Sequence, residues 1–343
     1  MTHPPPLSRD RLLQLVERMK SSRVVVIGDI ILDRYLHGDT ERLSPEAPVP
    51  VVTVRERSAR LGGAANVAAN VASMGASCLL VGTVGDDADG AAIRQELVVA
   101  RLDGRHVVTV AGRPTTAKTR IIARAQQIVR IDEEVDALLD GPDLERLIRS
   151  AGDALADADA LLLEDYNKGA LAPRLIGEVM TVARRRGIPV VVDPKYRQFF
   201  AYAGATVFKP NRRELESALG AAMDLQNRNA LPEVLARLKV DNLLVTLGAQ
   251  GMLLVTKDGG SLRIPSIARR VFDVSGAGDT VTAWLGTALA AGASLAEAAQ
   301  LANYAAGVEV GKPGVATVSP EEVLAVHEER FDQLGRLRRG GVI

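Results

Sequence analysis

The amino-acid sequence predicts an α/β domain: a doubly wound, mostly parallel sheet between helices, with a small β-sheet lid. Three patterns carry this prediction. Short runs of branched aliphatics recur along the chain, helical segments fall between them, and two stretches follow neither pattern. The runs lie at 24–27, 78–84, 161–164, 190–193, 206–208 and 243–246. They are continuously apolar because a parallel strand between two helical layers is buried on both faces. Helical segments at 64–74, 88–99, 143–156, 173–186, 212–219 and 229–238 alternate with them, which is the order that builds parallel crossovers. Ligands then belong at the carboxyl ends of the strands. Residues 49–57 and 105–132 lack helical periodicity and carry alternating charge, as half-exposed antiparallel strands do. A lid is therefore expected from about 49–60 and 105–132, within a domain spanning 11–330. Residues 1–10, with three consecutive prolines, are expected to be an unanchored tail, and 331–343 a solvated basic tail.

Composition removes several classes of function. The 343 residues include 42 Lys and Arg against 42 Asp and Glu, so no chain-wide field grips nucleic acid or an anionic membrane. Cys78 is the single cysteine, which excludes an internal disulfide or a cysteine zinc cluster. The first residues lack the basic-then-apolar order of a secretory leader. Residues 280–296 carry no charge, but they are mostly small residues and too few to span a bilayer. A cytoplasmic protein is expected, with neither nucleic acid nor membrane as partner.

Three motifs suggest chemistry. In Asp273-Val274-Ser275-Gly276-Ala277-Gly278-Asp279-Thr280, glycines open a helix of small residues at 281–291, so several N–H groups can face one anion. Asp279 then lies in the first turn, where a carboxylate near a phosphate suits a general base. The plainer reading makes Asp279 a helix cap. In Leu61-Gly62-Gly63-Ala64-Ala65-Asn66, a glycine pair lets main chain approach a ligand, and Asn66 can donate to and accept from hydroxyls. In Gly28-Asp29-Ile30-Ile31-Leu32-Asp33, two carboxylates at a strand exit can hold polyol hydroxyls. The bland alternatives are a loop joint for the glycine pair and a turn cap for Asp29.

Together the Gly62-Gly63…Asn66 element and Asp273…Gly276-Ala277-Gly278-Asp279 resemble the two signatures of the ribokinase-like (PfkB) family of carbohydrate kinases. The resemblance runs from about residue 20 to 325. Further segments are similar to the heptose-kinase branch of that family. They are Ser44-Pro45-Glu46-Ala47-Pro48-Val49-Pro50, Gln126-Gln127 with Arg130-Ile131-Asp132, Asp165-Tyr166-Asn167-Lys168-Gly169, Asp193-Pro194-Lys195 and Lys209-Pro210-Asn211. The resemblance implies ATP-dependent phosphorylation of D-glycero-β-D-manno-heptose 7-phosphate at its anomeric oxygen, a step toward the ADP-heptose of the lipopolysaccharide inner core. Some relatives fuse the kinase to a nucleotidyltransferase with a His-x-Gly-His motif. With His only at 3, 37, 106 and 327, this sequence is expected to be the stand-alone kinase.

The resemblance also implies roles. Asp279 matches the general base, and Gly276, Ala277 and Gly278 the anion hole. Asp29, Asp33, Gly62, Gly63 and Asn66 match sugar-contacting positions. Asn211 and Glu214 match an Asn-x-x-Glu element near the triphosphate, with Glu214 serving Mg²⁺ largely through water; the same spacing also reads as a helix capping box. Thr246, Gly248 and Gly251 match the nucleotide-side loop, and Asn303 the adenine side. Loops 271–275 and 310–316 match those that hold a monovalent cation, usually K⁺, by backbone oxygens. A sugar phosphate needs cations, and Lys118, Arg120, Arg124 and Arg130 on the lid compete with Lys168 and Lys195. The last two are favoured because they sit at strand ends. The resemblance implies a homodimer, and the exposed edge of an antiparallel lid permits one there.

Rival readings fare worse. The first strand exits into Gly28-Asp29-Ile30, not the G-x-G-x-x-G of a nicotinamide dehydrogenase. Gly307-Val308-Glu309-Val310-Gly311-Lys312-Pro313 misses the P-loop spacing and puts Pro where Ser or Thr would hold Mg²⁺. Another sugar or nucleoside kinase of the same family remains, as does a non-catalytic sugar-binding protein. The latter has no need for Asp279 beside a glycine turn.

Overall fold

Val24 and Val26 pack into one apolar core, and their neighbours Val25 and Ile27 into another. Leu162 against Leu161 and Leu163, and Val191 against Val190 and Val192, divide in the same way. A strand that is apolar at every position therefore glues helices to both of its faces. The structure, a computed structural model, describes residues 4–124, 126–225, 231–268 and 270–340. Residues 1–3 and 341–343 of the expected tails, Ala125 of the expected lid and 229–230 of an expected helix lie outside the described residues.

The chain runs α1 (Arg9–Met19), β1 (Arg23–Gly28), β2 (Ile30–Leu43), β3 (Pro50–Gly63), α2 (Ala64–Ser73), β4 (Ser77–Gly85), α3 (Ala88–Val99) and β5 (Val107–Val110). Next come β6 (Ala117–Ala123), β7 (Gln126–Glu133), α4 (Gly141–Leu155), β8 (Ala160–Glu164), α5 (Pro173–Arg186), β9 (Val190–Asp193) and β10 (Val207–Phe208). The remainder is α6 (Arg212–Leu219), α7 (Leu231–Leu238), β11 (Asn242–Thr246), β12 (Met252–Val255), β13 (Ser261–Ile264), α8 (Ala277–Ala290), α9 (Leu295–Glu309) and α10 (Pro320–Gly340).

The main sheet has the order β13-β12-β11-β10-β9-β8-β1-β4-β5. Its pairs are parallel from β5 to β11, and β12 and β13 extend it antiparallel. Helices α1, α2, α8 and α9 contribute to one core, and α4, α5, α6 and α7 to the other. The helix stops are local: Asn211 and Glu214 make a reciprocal capping box on α6, and Gly187 ends α5 in the left-handed region at φ 66°. The uncharged residues 280–296 are largely α8, whose Trp284 and Leu285 are buried in the core. No helix among the described residues is long and apolar enough to cross a membrane.

The lid is a second sheet, β3-β2-β6-β7, and its limits differ from those expected. Val107–Val110 joins the main sheet beside β4, because Val107 and Val110 are buried there. The whole of β2, absent from the expectation, forms the lid's centre between β3 and β6. Its charged residues concealed it: Asp33 and Tyr35 face inward, whereas its far end is exposed.

The tail boundaries also move. Leu7 is buried, its N–H donates to Gln300 Oε1, and Ser8 caps α1. His327 further bonds the Leu7 carbonyl at 2.7 Å, so residues 7–10 are anchored and not free. At the other end α10 continues through 331 to Gly340 without a break.

Candidate active site

Gly276 adopts φ 93°, a left-handed conformation that favours glycine, and a Cβ there would stand 3.2 Å from both Asn66 Nδ2 and Glu309 Oε1. This turn starts α8. Thr280 donates to the Gly276 carbonyl at 2.9 Å, and Ala277 makes only a long 3.4 Å bond to Val274. Among the described residues the N–H groups of Gly278 and Asp279 have no backbone partner, as a helix's first turn requires. They remain available to an anion at the positive end of the helix.

Asp279 is 4% exposed and held from two sides. Asn66 Nδ2 donates to Oδ2 at 2.7 Å, and the Tyr166 hydroxyl donates to Oδ1 at 2.7 Å. Burial pushes its pKa up to about 6, although these two bonds oppose the shift. The carboxylate is thus ionised at neutral pH yet more basic than an exposed aspartate. Beside it, Lys209, almost fully buried, pairs with Asp193 at 2.7 Å. Burial alone would lower the lysine's pKa, but Asp193 and then Glu164 hold it above the usual value. A Cβ on Gly278 would stand 3.6 Å from Asp193 Oδ2 and 3.7 Å from Lys209 Nζ, so the ammonium sits directly by the anion hole.

Two further carboxyls lie beneath. Glu164 is fully buried, and no described donor reaches its oxygens. Burial first, then Asp193 and Asp279, raise its pKa well above the ordinary range. Glu309 is also fully buried and has no hydrogen-bond partner among the described residues, and burial followed by Asp279 and Asp273 lifts its pKa to about 8. At neutral pH it therefore adds little negative charge behind the anion hole. Oxygens of Glu164, Asp193 and Asp279 lie within 4.8 Å of one another, a donor set suited to an oxygen-seeking cation.

The nucleotide-side residues converge. A cavity of about 500 Å³ is lined by Asn211, Thr246, Gly248, Gly251 and Asn303 and reaches Ala277 and Gly278 of the anion hole. Thr246 N donates to the Pro210 carbonyl at 3.1 Å, which brings the 246–251 loop to Asn211. Asn303 spends its amide donor on the Pro265 carbonyl. Glu214 completes the α6 capping box and also pairs with Lys195. The capping and ligand readings of Asn211-x-x-Glu214 are thus compatible in space.

On the sugar side the outcome is mixed. Gly62 and Gly63 bring the end of β3 against Asp33 and Asp29, where any Cβ would overlap Asp33's carboxylate or Asp29's carbonyl. Asn66 is bonded to Asp279, and Asp33 pairs with Arg120, which lies over the Tyr35 ring. Asp29 departs from its expected role. Its carboxylate accepts backbone N–H groups of Tyr166, Lys168 and Ala170 at 2.8, 2.9 and 3.0 Å, so it organises the loop after β8. Lys195 also departs: it pairs with Glu214 and lies over the Tyr166 ring on the nucleotide side, whereas Lys168 pairs with Glu134 of the lid. Arg124 sits at a positive-φ position between β6 and β7. Sequence reasoning missed Tyr166, Asp193, Lys209, Glu164 and Glu309 as site residues. The available signal was position, since Glu164, Asp193 and Lys209 stand at the carboxyl ends of adjacent strands.

Known proteins share this architecture. The chain superposes on Arabidopsis thaliana ribokinase complexed with ribose and ATP with a TM-score of 0.71 at 22% identity, covering 90% of this chain and 99% of that one. Phosphofructokinase-2 from Escherichia coli, in complex with potassium, gives 0.74 at 19%, covering 90% and 98%. The fold is thus that of the ribokinase-like sugar kinases. The family model for pfkB family carbohydrate kinases matches residues 21–322, and the chain belongs to that family. It is an ATP-dependent carbohydrate kinase, a class that uses ATP with Mg²⁺. Bifunctional protein HldE of Rhodospirillum rubrum is 43% identical over 321 residues, covering 93% of this chain and 65% of that protein. The HldE of Trichlorobacter lovleyi is 42% identical over 340 residues, covering 98% and 69%. The chain spans about two thirds of the length of these relatives and matches their kinase portion.

Proposed function

We propose that the chain transfers the γ-phosphoryl group of ATP to the anomeric O1 of D-glycero-β-D-manno-heptose 7-phosphate, giving the 1,7-bisphosphate for ADP-heptose and lipopolysaccharide inner-core synthesis in the cytoplasm. The observation that carries the phosphoryl transfer is Asp279: a buried, ionised carboxylate in the first turn of α8, beside unpaired N–H groups and Lys209. The heptose acceptor is supported by the HldE relatives and by the branch motifs in the sequence.

In this reading the sugar hydroxyl gives its proton to Asp279 as the oxygen forms a bond to the γ-phosphorus and the bond to the β-phosphate oxygen breaks, releasing ADP. Asn66 and Tyr166 aim the carboxylate, while the α8 N-terminus and Lys209 stabilise charge on the transferring group. Mg²⁺, when bound, would offset phosphate charge, and Glu214 is the residue that would hold it, largely through water. A monovalent cation would lie between loops 271–275 and 310–316, which are drawn together by the Phe272 and Asp273 N–H groups on the Val310 carbonyl. The lid supplies the expected homodimer interface, its edge strand β7 being exposed along its length.

ATP consumption with heptose 7-phosphate, ribose and fructose phosphates as acceptors tests the substrate. Turnover fastest with ribose would assign the chain elsewhere in the family. Asp279→Asn should keep the fold and ATP binding while lowering turnover by roughly a thousandfold or more. Near-normal turnover in that variant would falsify the role of Asp279.

A further inference from the structure

Two ammonium groups from different parts of the molecule close on a single carboxylate at the rim of the sugar site. Lys118 stands on lid strand β6 and Lys168 on the body loop after β8. Lys118 Nζ lies 2.9 Å from Glu134 Oε2, and Lys168 Nζ lies 2.8 Å from Glu134 Oε1. Both lysine side chains are largely buried, 16% and 14% exposed, unlike ordinary surface lysines.

Register places this group on the ligand-facing side of the lid. Lys118 is directly opposite Asp33 and Arg120 opposite Tyr35 on the neighbouring strand, so the four share one face. Asp33 on that face abuts Gly62, and the main chain of Lys168 is bound to Asp29. Across β7, Asp132 is opposite Lys118 and bridges it to Arg130. With Glu134 in place, three cations meet two carboxylates. With Glu134 displaced, the same cations meet only Asp132, leaving an excess of two positive charges. A phosphomonoester carries about −1.5 to −2 near neutrality and spaces its oxygens nearly as a carboxylate does.

Resting on the reading of a phosphorylated sugar as acceptor, we propose that Lys118 and Lys168 form its phosphate subsite. Glu134 occupies that subsite as a placeholder in the free enzyme. Phosphate binding then exchanges one anion for another across the lid–body seam, and an unphosphorylated sugar leaves Glu134 where it is. The enzyme's preference for a phosphorylated acceptor therefore resides in a competition that Glu134 sets.

Calorimetric titration of heptose 7-phosphate onto the full chain tests this, with melting temperature as the control for folding. Lys118→Ala and Lys168→Ala should each weaken binding about tenfold or more, whereas Glu134→Gln should tighten it several-fold by removing the competitor. Weaker binding in Glu134→Gln, or unchanged binding in both lysine variants, overturns the proposal. If the wild-type chain ignores heptose 7-phosphate, the acceptor reading fails separately, and inorganic phosphate then decides the subsite. Protection of wild type against thermal unfolding by phosphate, lost in both lysine variants, upholds it; equal protection in all chains overturns it.

Discussion

Asp279 shows how a single residue acquires its chemistry from its surroundings. An exposed aspartate is a weak base, but burial raises this one to about 6, and two donated hydrogen bonds keep it from rising further. The sign of the pH dependence follows. Below about pH 6 the carboxyl is protonated and cannot accept the sugar's proton, so kcat/KM should fall about tenfold per pH unit. Tyr166→Phe removes a donor that favours the charged form. The acid limb should then move to higher pH, while the same change leaves ATP binding intact. A pH–rate profile of both chains checks this, and an acid limb that moves downward would refute the arrangement. Lys209 matters for the same electrostatic reason, since it supplies positive charge at the anion hole.

Among the elements, the junction of β3 with α2 carries the sharpest constraint. Gly63 has φ 56°, and a Cβ there would overlap the Asp29 carbonyl that Ala64 N–H binds at 3.0 Å. A conformation essentially reserved for glycine costs a β-carbon residue about 1–3 kcal/mol, and forced overlap adds to that. Gly63→Ala should therefore destabilise the chain by on the order of 2–3 kcal/mol, read as a lower urea midpoint with an unchanged slope. The same junction aims Asn66, so the variant that folds should also lose turnover. Element limits were legible where a local rule sets them: Asp87 caps the start of α3, and α5 and α6 begin and end where a proline, a cap and glycines place them. Strand β2 was not legible, because its inward Asp33 and Tyr35 mimic an exposed pattern.

For the whole molecule, the lid leaves an apolar edge open. Ile128, Val129 and Ile131 on edge strand β7 are 37%, 46% and 48% exposed. An edge strand with exposed aliphatics pairs readily with a second copy. Light scattering on a sizing column should report a dimer for the wild-type chain. Val129→Asp with Ile131→Asp should give a monomer of unchanged helix content, and a wild-type monomer at micromolar concentration would remove the lid interface.

Local order came from the sequence alone. Uninterrupted aliphatic runs specify two-faced strands, glycine pairs mark the turns at 62–63 and 276–278, and Asp279 follows from its place after such a turn. Partnership did not. Asp29 is claimed by a loop 137 to 141 residues away, Tyr166 meets Asp279 across 113 positions, and Lys195 and Lys168 part company toward Glu214 and Glu134. Each of these depends on which strand ends lie side by side. A charged side chain takes the nearest compensating group in space, and separation along the chain leaves no trace of which group that is.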